Sequence, residues 1–303
     1  MPVSSMIHIE NITKDYGSNR GNFNITLDVK KGETLGIVGE NGAGKTTLMR
    51  QLMGFIQSDE GYIDINNMDA YYDAMKTKKL IGYIPGEINF PDVKTGIKFL
   101  HNYGDSLGAK SQDYDYANEL IQRMQLDIRA YPKRMSKGMK QKTSIVAAFM
   151  RKPQILFLDE PSIGLDPLMR EELLKIILEQ KENGSTIIMS SNSIDELERV
   201  SDKVALLSKG RIVDIADMND IKNRPFRDYK VEFINKDDFI KFKNLGYEIT
   251  RIQEQYNQLT IRVNLKQLSK FLKDVGTYKI RFISELPYNL STYFKERRVF
   301  RNE

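Results

Sequence analysis

The chain contains no cysteine and very little histidine. The absence of cysteine excludes disulfides and thiolate metal sites, and it fits a reducing compartment. His8 and His101 are the two histidines in 303 residues, so few positions can supply an imidazole for catalysis. No stretch reaches the roughly 18 consecutive apolar residues typical of a membrane-spanning helix. The N-terminus, MPVSSMIHIE, also lacks the basic region and apolar core of a secretory signal.

Size and charge indicate a mildly basic globular chain of two domains, or one large and one small. A net charge of +5 would suit work beside an anionic surface or with nucleotides, although a solvated basic face is the simpler explanation. The pattern of elements changes near residues 223–225. We therefore predict a first domain over residues 1–222 and an accessory or regulatory domain over 223–303.

The first strong motif is a glycine-rich loop, GENGAGKT, at Gly39–Thr46. A strand-like run precedes it and a helix-like run follows, which is the context of a phosphate-binding loop. Lys45 is expected to reach the β- and γ-phosphates, and the Thr46 hydroxyl to bind Mg²⁺. Gly42 and Gly44 lack a Cβ, so the backbone can approach the phosphates closely. A purely structural glycine turn would not require the lysine and the threonine.

The second motif is LFLDEP at residues 156–161, where an apolar strand ends in two acids. Side chains at the carboxyl end of a parallel strand point into the ligand crevice. We expect Asp159 to hold Mg²⁺, directly or through water, and Glu160 to polarise the water that attacks the γ-phosphorus. Solvated acids at a capped strand end are the alternative for such a pair considered alone.

A helix with the sequence SKGMKQ begins at Ser136, a good N-cap residue. Its first N–H groups and its dipole could face a phosphate. Considered alone, this segment is better explained as an ordinary capped basic helix. It is followed by SIGLDP at residues 162–167, directly after the paired acids.

Strands alternate with helices over most of the first domain, which predicts an α/β fold with a mostly parallel sheet and helices on both faces. Ile155–Leu158 is wholly apolar, as expected of a buried parallel strand. Residues 223–303 show the order β-α-β-β-α-β, which predicts a small α+β ferredoxin-like domain.

In combination these motifs resemble the ATP-binding subunit of an ABC transporter, in the form found in bacterial ABC-2-type multidrug and peptide exporters. GENGAGKT is similar to the family's Walker A loop, LFLDEP to its Walker B strand, SKGMKQ to its signature motif and SIGLDP to its D-loop. The resemblance covers about residues 6–215. It implies a P-loop NTPase fold with an antiparallel β subdomain and a helical subdomain at about residues 87–150. It also implies a dimer with two ATP molecules sandwiched between subunits.

The resemblance assigns a role to each motif residue, with ATP and Mg²⁺ as ligands. The implied catalytic residues are Glu160, Lys45 and Asn192. The implied magnesium ligands are Thr46 and Asp159. Glu87, one residue after the family's glutamine position, is the candidate third ligand, with water as the alternative at that place. The implied ATP contacts are Tyr16, Gly39, Glu40, Asn41, Gly42, Ala43, Gly44, Lys45, Thr46, Thr47, Ser136, Gly138, Met139 and Asp166. Tyr16 would stack on adenine, and Ser136 would contact the partner's ATP.

Two positions depart from the family pattern. The family usually carries a histidine after the strand IIMSS, where this chain has Asn192. The family's glutamine loop usually reads YxPQ or YxPE, but here Gly86 follows Pro85 and Glu87 comes one residue later. Asn192 can still donate a hydrogen bond through its amide. We therefore expect a slow but active ATPase, which could be half of an asymmetric heterodimer.

The resemblance leaves three functions to compare. The first is the ATPase of an exporter of drugs, antimicrobial or amphipathic peptides, or lipids. It would work with separate transmembrane permease subunits and a second ATP-binding subunit, peripherally on the cytoplasmic face of the membrane. The second is a soluble ABC ATPase of DNA repair or translation, which would carry a long coiled-coil insertion or two cassettes in one chain. The segment between Gly86 and Ser136 is too short for that insertion, the sequence has one Walker A loop, and it lacks a dense basic stripe, so we expect no nucleic-acid partner. The third is a nucleotide-sensing regulator, which Asn192 and Gly86 favour and Glu160 disfavours.

Overall fold

The structure is a computed structural model that describes residues 5–297. Its internal contacts divide the chain into two compact units, Met1–Asp217 and Met218–Glu303. The predicted boundary between residues 222 and 223 therefore falls after a short helix that belongs to the second unit. The outermost ends of the two predicted domains, residues 1–4 and 298–303, lie outside the described residues.

The first unit alternates strands with helices. Its strands are β1 (Ser5–Asp15), β2 (Gly21–Lys30), β3 (Thr34–Val38), β4 (Glu60–Ile65), β5 (Ile81–Ile84), β6 (Ile155–Asp159), β7 (Thr186–Ser191), β8 (Lys203–Ser208) and β9 (Arg211–Asp217). Its α-helices are α1 (Lys45–Leu52), α2 (Ala74–Thr77), α3 (Gly96–Ser106), α4 (Ser111–Arg123), α5 (Lys137–Phe149), α6 (Pro167–Glu182) and α7 (Ile194–Val200). Within residues 5–297 no helix combines the length and the apolar character needed to cross a bilayer.

The central sheet has the strand order β5-β6-β7-β3-β8-β9, and its pairs are parallel except for β8 with β9. Every residue of β3, β6 and β7 is buried, as expected of parallel strands that are covered on both faces. The carboxyl ends of parallel strands lie at one edge of the sheet. Val38, Asp159 and Ser191, which end β3, β6 and β7, therefore lie along the same edge.

A second sheet is antiparallel and has the order β2-β1-β4. Its buried face includes Ile9 and Ile25, which belong to the same core cluster as Ile37 of β3 and Leu48 of α1. Each such side chain stabilises the fold by roughly 1.5–3 kcal/mol when it is fully buried. Helix α1, which follows the phosphate loop, therefore shares one core with both sheets.

Helices α3, α4 and α5 lie within the predicted helical subdomain. Thr95 caps α3, since its Oγ1 accepts a hydrogen bond of 3.2 Å from the N–H of Lys98. Arg123, near the end of α4, reaches two carboxylates of α6. It donates two bonds of 2.7 Å to Glu179 and one of 2.7 Å to Glu172. This planar, charge-assisted contact ties the helical segment to α6.

The second unit is smaller and has its own core. Its elements are α8 (Met218–Lys222), β10 (Phe226–Phe233), α9 (Lys236–Lys243), β11 (Glu248–Gln253), β12 (Gln258–Asn264), α10 (Leu268–Val275), β13 (Ile280–Leu286) and α11 (Leu290–Glu296). The strands form an antiparallel sheet in the order β11-β12-β10-β13. Phe239 of α9 and Phe271 of α10 pack with Val231 and Leu259 of the sheet. From β10 to β13 this is the predicted β-α-β-β-α-β order, and the ferredoxin-like assignment stays a prediction from that order.

Candidate nucleotide-binding and catalytic site

The glycine-rich loop turns from β3 into α1, as its sequence predicts. The φ angles of Gly42 and Gly44 are +83° and +109°, in a region that side chains disfavour. A Cβ at Gly44 would lie 2.2 Å from Oδ1 of Asn22, and a Cβ at Gly39 would lie 2.3 Å from the carbonyl oxygen of Leu207. The positive φ angle therefore requires glycine at positions 42 and 44, and close packing requires it at positions 39 and 44. The N-terminus of α1, where unpaired N–H groups favour an anion, follows directly.

A cleft of about 350 Å³ opens over this loop. Among the described residues its lining consists of Tyr16, Asn19, Arg20, Gly21, Glu40, Asn41, Gly42, Gly44, Lys45, Thr46, Thr47 and Glu160. Tyr16 is 53% exposed, so its ring is accessible to a base. Gly39 and Ala43 contribute to the loop itself, where the carbonyl of Gly39 accepts a bond from Lys45 and Ala43 is buried.

Arg20 and Asn19 also line the cleft, although neither belongs to a recognisable sequence motif. The N–H of Tyr16 donates to the carbonyl of Arg20 at 2.8 Å, which closes a tight loop beside the aromatic ring. The sequence feature that points to them is their position in a short polar segment between Tyr16 and Gly21, next to the predicted adenine-stacking residue. Arg20 adds a cation to the cleft beside the phosphate loop.

Lys45 is buried and its ammonium group faces four acceptors. It donates to the carbonyls of Gly39 at 2.6 Å and Glu40 at 3.1 Å, and to Oδ1 of Asn192 at 2.7 Å. Its Nζ also lies 3.3 Å from Oε1 of Glu160. The side chain is 5% exposed, so these contacts fix the position of the cation at the base of the cleft.

Asn192 connects the other two predicted catalytic residues, Lys45 and Glu160. Its amide nitrogen donates to Oε2 of Glu160 at 3.1 Å and to Oδ1 of Asn41 at 3.0 Å. Its amide oxygen accepts from Lys45. An amide can accept and donate at the same time, whereas a single ring nitrogen of a neutral imidazole does one or the other. The structure therefore brings Lys45, Glu160 and Asn192 together in one network.

Asp159 ends β6 and is fully buried. Its Oδ1 accepts a bond of 2.6 Å from the hydroxyl of Ser190 on the neighbouring strand. The same hydroxyl oxygen accepts a 3.1 Å bond from the N–H of Glu160. Ser190 thus orients both acids, although no sequence motif marks a serine near the end of an apolar strand.

The other oxygen of Asp159, Oδ2, is buried and has no hydrogen-bond partner among the described residues. Such a group is costly unless a partner or a cation satisfies it. A Cβ built at Gly86 would lie 2.8 Å from this oxygen and 3.7 Å from Oγ1 of Thr46. Asp159 and Thr46 therefore flank the same point. A carboxylate and a hydroxyl are ligands that fit Mg²⁺, which binds proteins through few groups and keeps several waters.

The structure places Gly86 beside these two side chains. Glu87 is exposed, and its role as a magnesium ligand stays a prediction. Tyr83, on β5, is close enough to Asp159 for the two to interact. Burial, reinforced by the Asp159 carboxylate, raises the pKa of Tyr83, so its phenol is neutral at physiological pH.

The signature-motif helix lies outside this cleft. Ser136 is exposed and caps α5 by accepting a bond of 3.2 Å from the N–H of Met139. Gly138 packs on the D-loop, where a Cβ would lie 2.9 Å from the carbonyl oxygen of Gly164. Asp166 caps α6 through the N–H of Met169 at 3.0 Å. None of these four predicted ATP contacts lines the cleft within the described part of the chain.

Comparison with known proteins agrees with this geometry. The ABC transporter family profile matches residues 23–163. The linearmycin resistance ATP-binding protein LnrL of Bacillus subtilis (strain 168) is 32% identical over 222 residues, 72% of this chain and 71% of that protein. The bacitracin transport ATP-binding protein BcrA of Bacillus licheniformis is 30% identical over 238 residues, 77% of this chain and 78% of that protein. A structure described as the ATP-binding subunit of an ABC transporter has a TM-score of 0.67 and 28% identity, and covers 73% of this chain and 93% of its own.

The fold, the phosphate loop and the paired acids define a P-loop NTPase. The chain belongs to the ABC transporter family, as one of its ATP-binding subunits. The predicted resemblance and the predicted cassette fold are thereby confirmed, and the protein is an ATPase.

Proposed function

We propose that this ATPase powers a membrane exporter by closing as a dimer around ATP and reopening after hydrolysis. The observation that carries the proposal is that one chain holds part of an ATP site. Lys45, Glu160 and Asn192 meet in the cleft, whereas the exposed Ser136 at the start of α5 lies outside it. A second subunit that offers its own α5 would complete the cleft. The partner is a second copy of this chain or a related chain.

The catalytic roles follow from the contacts. The loop N–H groups and Lys45 bind the phosphates, and Asp159 Oδ2 with Thr46 Oγ1 would hold Mg²⁺. When bound, this cation supplies positive charge that neutralises the phosphate oxygens. The Glu160 carboxylate orients the attacking water and accepts its proton. The Asn192 amide holds Glu160 through one N–H, and its other N–H, which contacts Asn41 in this structure, would donate toward the charge that develops on the transferred group.

A neutral donor at position 192 makes this a slow ATPase. A neutral hydrogen bond is weaker than a charge-assisted one by roughly 1 kcal/mol. If the bond tightens in the transition state, the loss in rate is roughly five- to tenfold. An asymmetric heterodimer whose other subunit carries a histidine would offset this loss.

Mixed variants test the catalytic and the dimer proposals together. Glu160→Gln removes the proton acceptor, and Ser136→Arg obstructs the surface offered to the partner's site. Each variant alone should lose nearly all phosphate release. Mixed in equal amounts, they form dimers in which one of the two sites has intact Glu160 and intact Ser136. Random pairing should then restore roughly a quarter of the parent activity.

Two outcomes would contradict the proposal. If Glu160→Gln hydrolyses ATP as fast as the parent, the catalytic assignment is wrong. If the mixture shows no recovery while the parent alone is active, the two chains do not share their sites. The control is a mixture of Glu160→Gln with Lys45→Ala, which removes two groups of the same half-site and should not recover.

We further propose that transmembrane permease subunits dock on an apolar groove between the central sheet and α3. The groove has a volume of about 300 Å³, and its lining includes Phe55, Tyr83, Phe90 and Phe99. The rings of Phe90 and Phe99 are 4.6 Å apart and support each other, while Phe55 is 50% exposed. Phe90 and Phe99, both from the segment that follows Gly86, line this groove, whereas Pro91 and Ile97 of the same segment do not line it among the described residues.

Co-purification tests the docking proposal. The parent should co-purify with the products of neighbouring membrane-protein genes, and Phe55→Glu should abolish this association because it puts a charge into the groove. Retention of the membrane partner by Phe55→Glu would exclude this groove as the docking site. The proposed location is therefore the cytoplasmic face of the membrane, through the permease. No nucleic-acid partner is proposed.

The proposed cargo is a drug, an antimicrobial or amphipathic peptide, or a lipid. It rests on the resemblance to exporter ATPases and on the names of two relatives, which refer to linearmycin resistance and bacitracin transport. A nucleotide-sensing regulator is the second candidate, because Asn192 and Gly86 depart from the catalytic pattern. Measurable turnover that depends on Glu160 would favour the transporter.

A further inference from the structure

We infer that Glu196 is a positioning residue for ATP hydrolysis. Its carboxylate links the D-loop to the end of β7, which is followed by Asn192, through hydrogen bonds to both segments. Glu196 lies on α7 and is 5% exposed. It does not line the cleft among the described residues. The inference rests on the proposed roles of Glu160 and Asn192.

The Glu196 carboxylate holds two hydroxyl groups from different segments. Its Oε2 accepts 2.8 Å from the Oγ of Ser162 and 3.0 Å from the Oγ of Ser191. Its Oε1 lies 3.4 Å from Nε of Arg170 on α6. Ser162 and Ser191 are themselves buried, so the three groups form a satisfied polar cluster in a low-dielectric region.

Each serine lies next to a residue of the reaction. Ser162 is two residues after Glu160, in a turn where the N–H of Ile163 donates 3.2 Å to the carbonyl of Glu160. Ser191 directly precedes Asn192, and its Oγ also accepts 3.0 Å from the N–H of Ser193. Glu196 therefore sets the separation of the two chain segments across which the Asn192 amide reaches Glu160 at 3.1 Å.

The same cluster continues toward the surface proposed to face the partner. The buried amide of Gln141 on α5 donates 2.7 Å to the carbonyl of Pro161, which lies between Glu160 and Ser162. The D-loop glycine Gly164 packs against Gly138 of the signature helix. A shift of Ser162 would therefore move Glu160 on one side and the start of α5 on the other.

The chemistry predicts a loss of turnover rather than of nucleotide binding. Glu196→Ala removes the acceptor for both serines, which frees the segment that carries Asn192 but leaves Lys45 and the loop contacts in place. We expect kcat to fall roughly tenfold while KM for ATP changes less than about twofold. Glu196→Gln retains an acceptor oxygen and should recover most of the lost kcat.

Coupling to Asn192 separates a positioning role from a general structural one. If Glu196 acts through Asn192, then Glu196→Ala should reduce kcat much less in an Asn192→Ala background than in the parent. A structural effect would reduce kcat by the same factor in both backgrounds. Glu232→Gln is the matched control, since Glu232 is a buried carboxylate of the second unit held by Gln258 and Arg281. It should lower the unfolding midpoint without changing kcat.

Several results would overturn the inference. These are a Glu196→Ala variant with parental kcat, one with raised KM and parental kcat, or equal losses in both backgrounds. If Glu196→Ala does not fold, Ser191→Ala carries the same comparison with Asn192→Ala, because it removes one of the two bonds. Glu160→Gln is measured in parallel. If that variant keeps parental turnover, the proposed function fails, and if it loses turnover while Glu196 does not matter, only this inference fails.

Discussion

Asn192→His should accelerate ATP hydrolysis, and the contacts of Asn192 allow the size of the increase in kcat to be estimated. The amide nitrogen of Asn192 donates one N–H to Asn41 at 3.0 Å and the other to Glu160 at 3.1 Å, so both of its donors are neutral and already engaged. A protonated imidazole would donate a charge-assisted bond toward the transferred phosphoryl group, stronger by roughly 1 kcal/mol. That difference corresponds to a roughly five- to tenfold higher kcat.

The substitution also removes one hydrogen bond of Lys45, but the other contacts of Lys45 limit the effect of this loss. The amide oxygen accepts a 2.7 Å bond from Lys45, and a protonated imidazole cannot replace it. Lys45 retains the carbonyls of Gly39 and Glu40, together with Glu160. We therefore expect the lost bond to reduce the gain without reversing it.

Steady-state phosphate release between about pH 5.5 and 8.5 provides the assay. An imidazole titrates near pH 6.5 when unperturbed, whereas an asparagine amide does not titrate. The Asn192→His variant should therefore show a fall in kcat as the pH rises through the pKa of the introduced imidazole, and the parent should lack this limb. Asn192→Ala is the control and should be slower than both. A variant with parental kcat and a parental pH profile would refute the assignment of position 192 to the transferred phosphate.

Two other predictions concern magnesium and pH. Gly86→Ala should raise the Mg²⁺ concentration for half-maximal activity roughly tenfold, because its Cβ would lie 2.8 Å from Asp159 Oδ2 and overpacking costs roughly 1–3 kcal/mol; an unchanged requirement would mean that this oxygen is not a ligand. The hydrogen bond to Asp28 raises the pKa of His8, so His8 adds stability that is complete below its unfolded pKa and is lost as the pH rises through its folded pKa. An NMR titration should show a raised value that falls toward the unperturbed one in Asp28→Asn, and equal titrations would contradict this.

The sequence predicts much of the site because motif residues occupy the ends of parallel strands. Lys45 and Thr46 begin the helix after β3, and Asp159 ends β6. Once strands alternate with helices, a parallel sheet follows, and its topology brings these carboxyl ends to one edge. Each motif is a contiguous stretch of sequence, so the residues within one motif are close together along the chain. The meeting of Lys45 with Asn192 requires the sheet, which β3 and β7 supply as direct neighbours.

Residues that act across segments could not be found in the same way. Ser190 contacts Asp159 across 31 positions of sequence, and Glu196 contacts Ser162 across 34. A serine at the end of an apolar strand and an acid on a short amphipathic helix are both ordinary features of a globular chain. Their roles depend on burial and on the direction of single hydroxyl groups, which periodicity does not encode. Sequence alone therefore identifies the groups that touch ATP more readily than the groups that orient them.

The departure at position 86 takes on a different meaning in the structure. In sequence, glycine in place of a glutamine or glutamate is a lost ligand. In the fold, Asp159 Oδ2 lies where even a single methyl group at position 86 would crowd it, and no described residue satisfies that oxygen. Because Mg²⁺ keeps several waters and uses few protein ligands, Asp159 and Thr46 would suffice as the protein's share of the proposed magnesium site. If the proposed Mg²⁺ binds there, Gly86 would leave room for water at this point, and weaker control of that water would agree with the slow turnover proposed from Asn192.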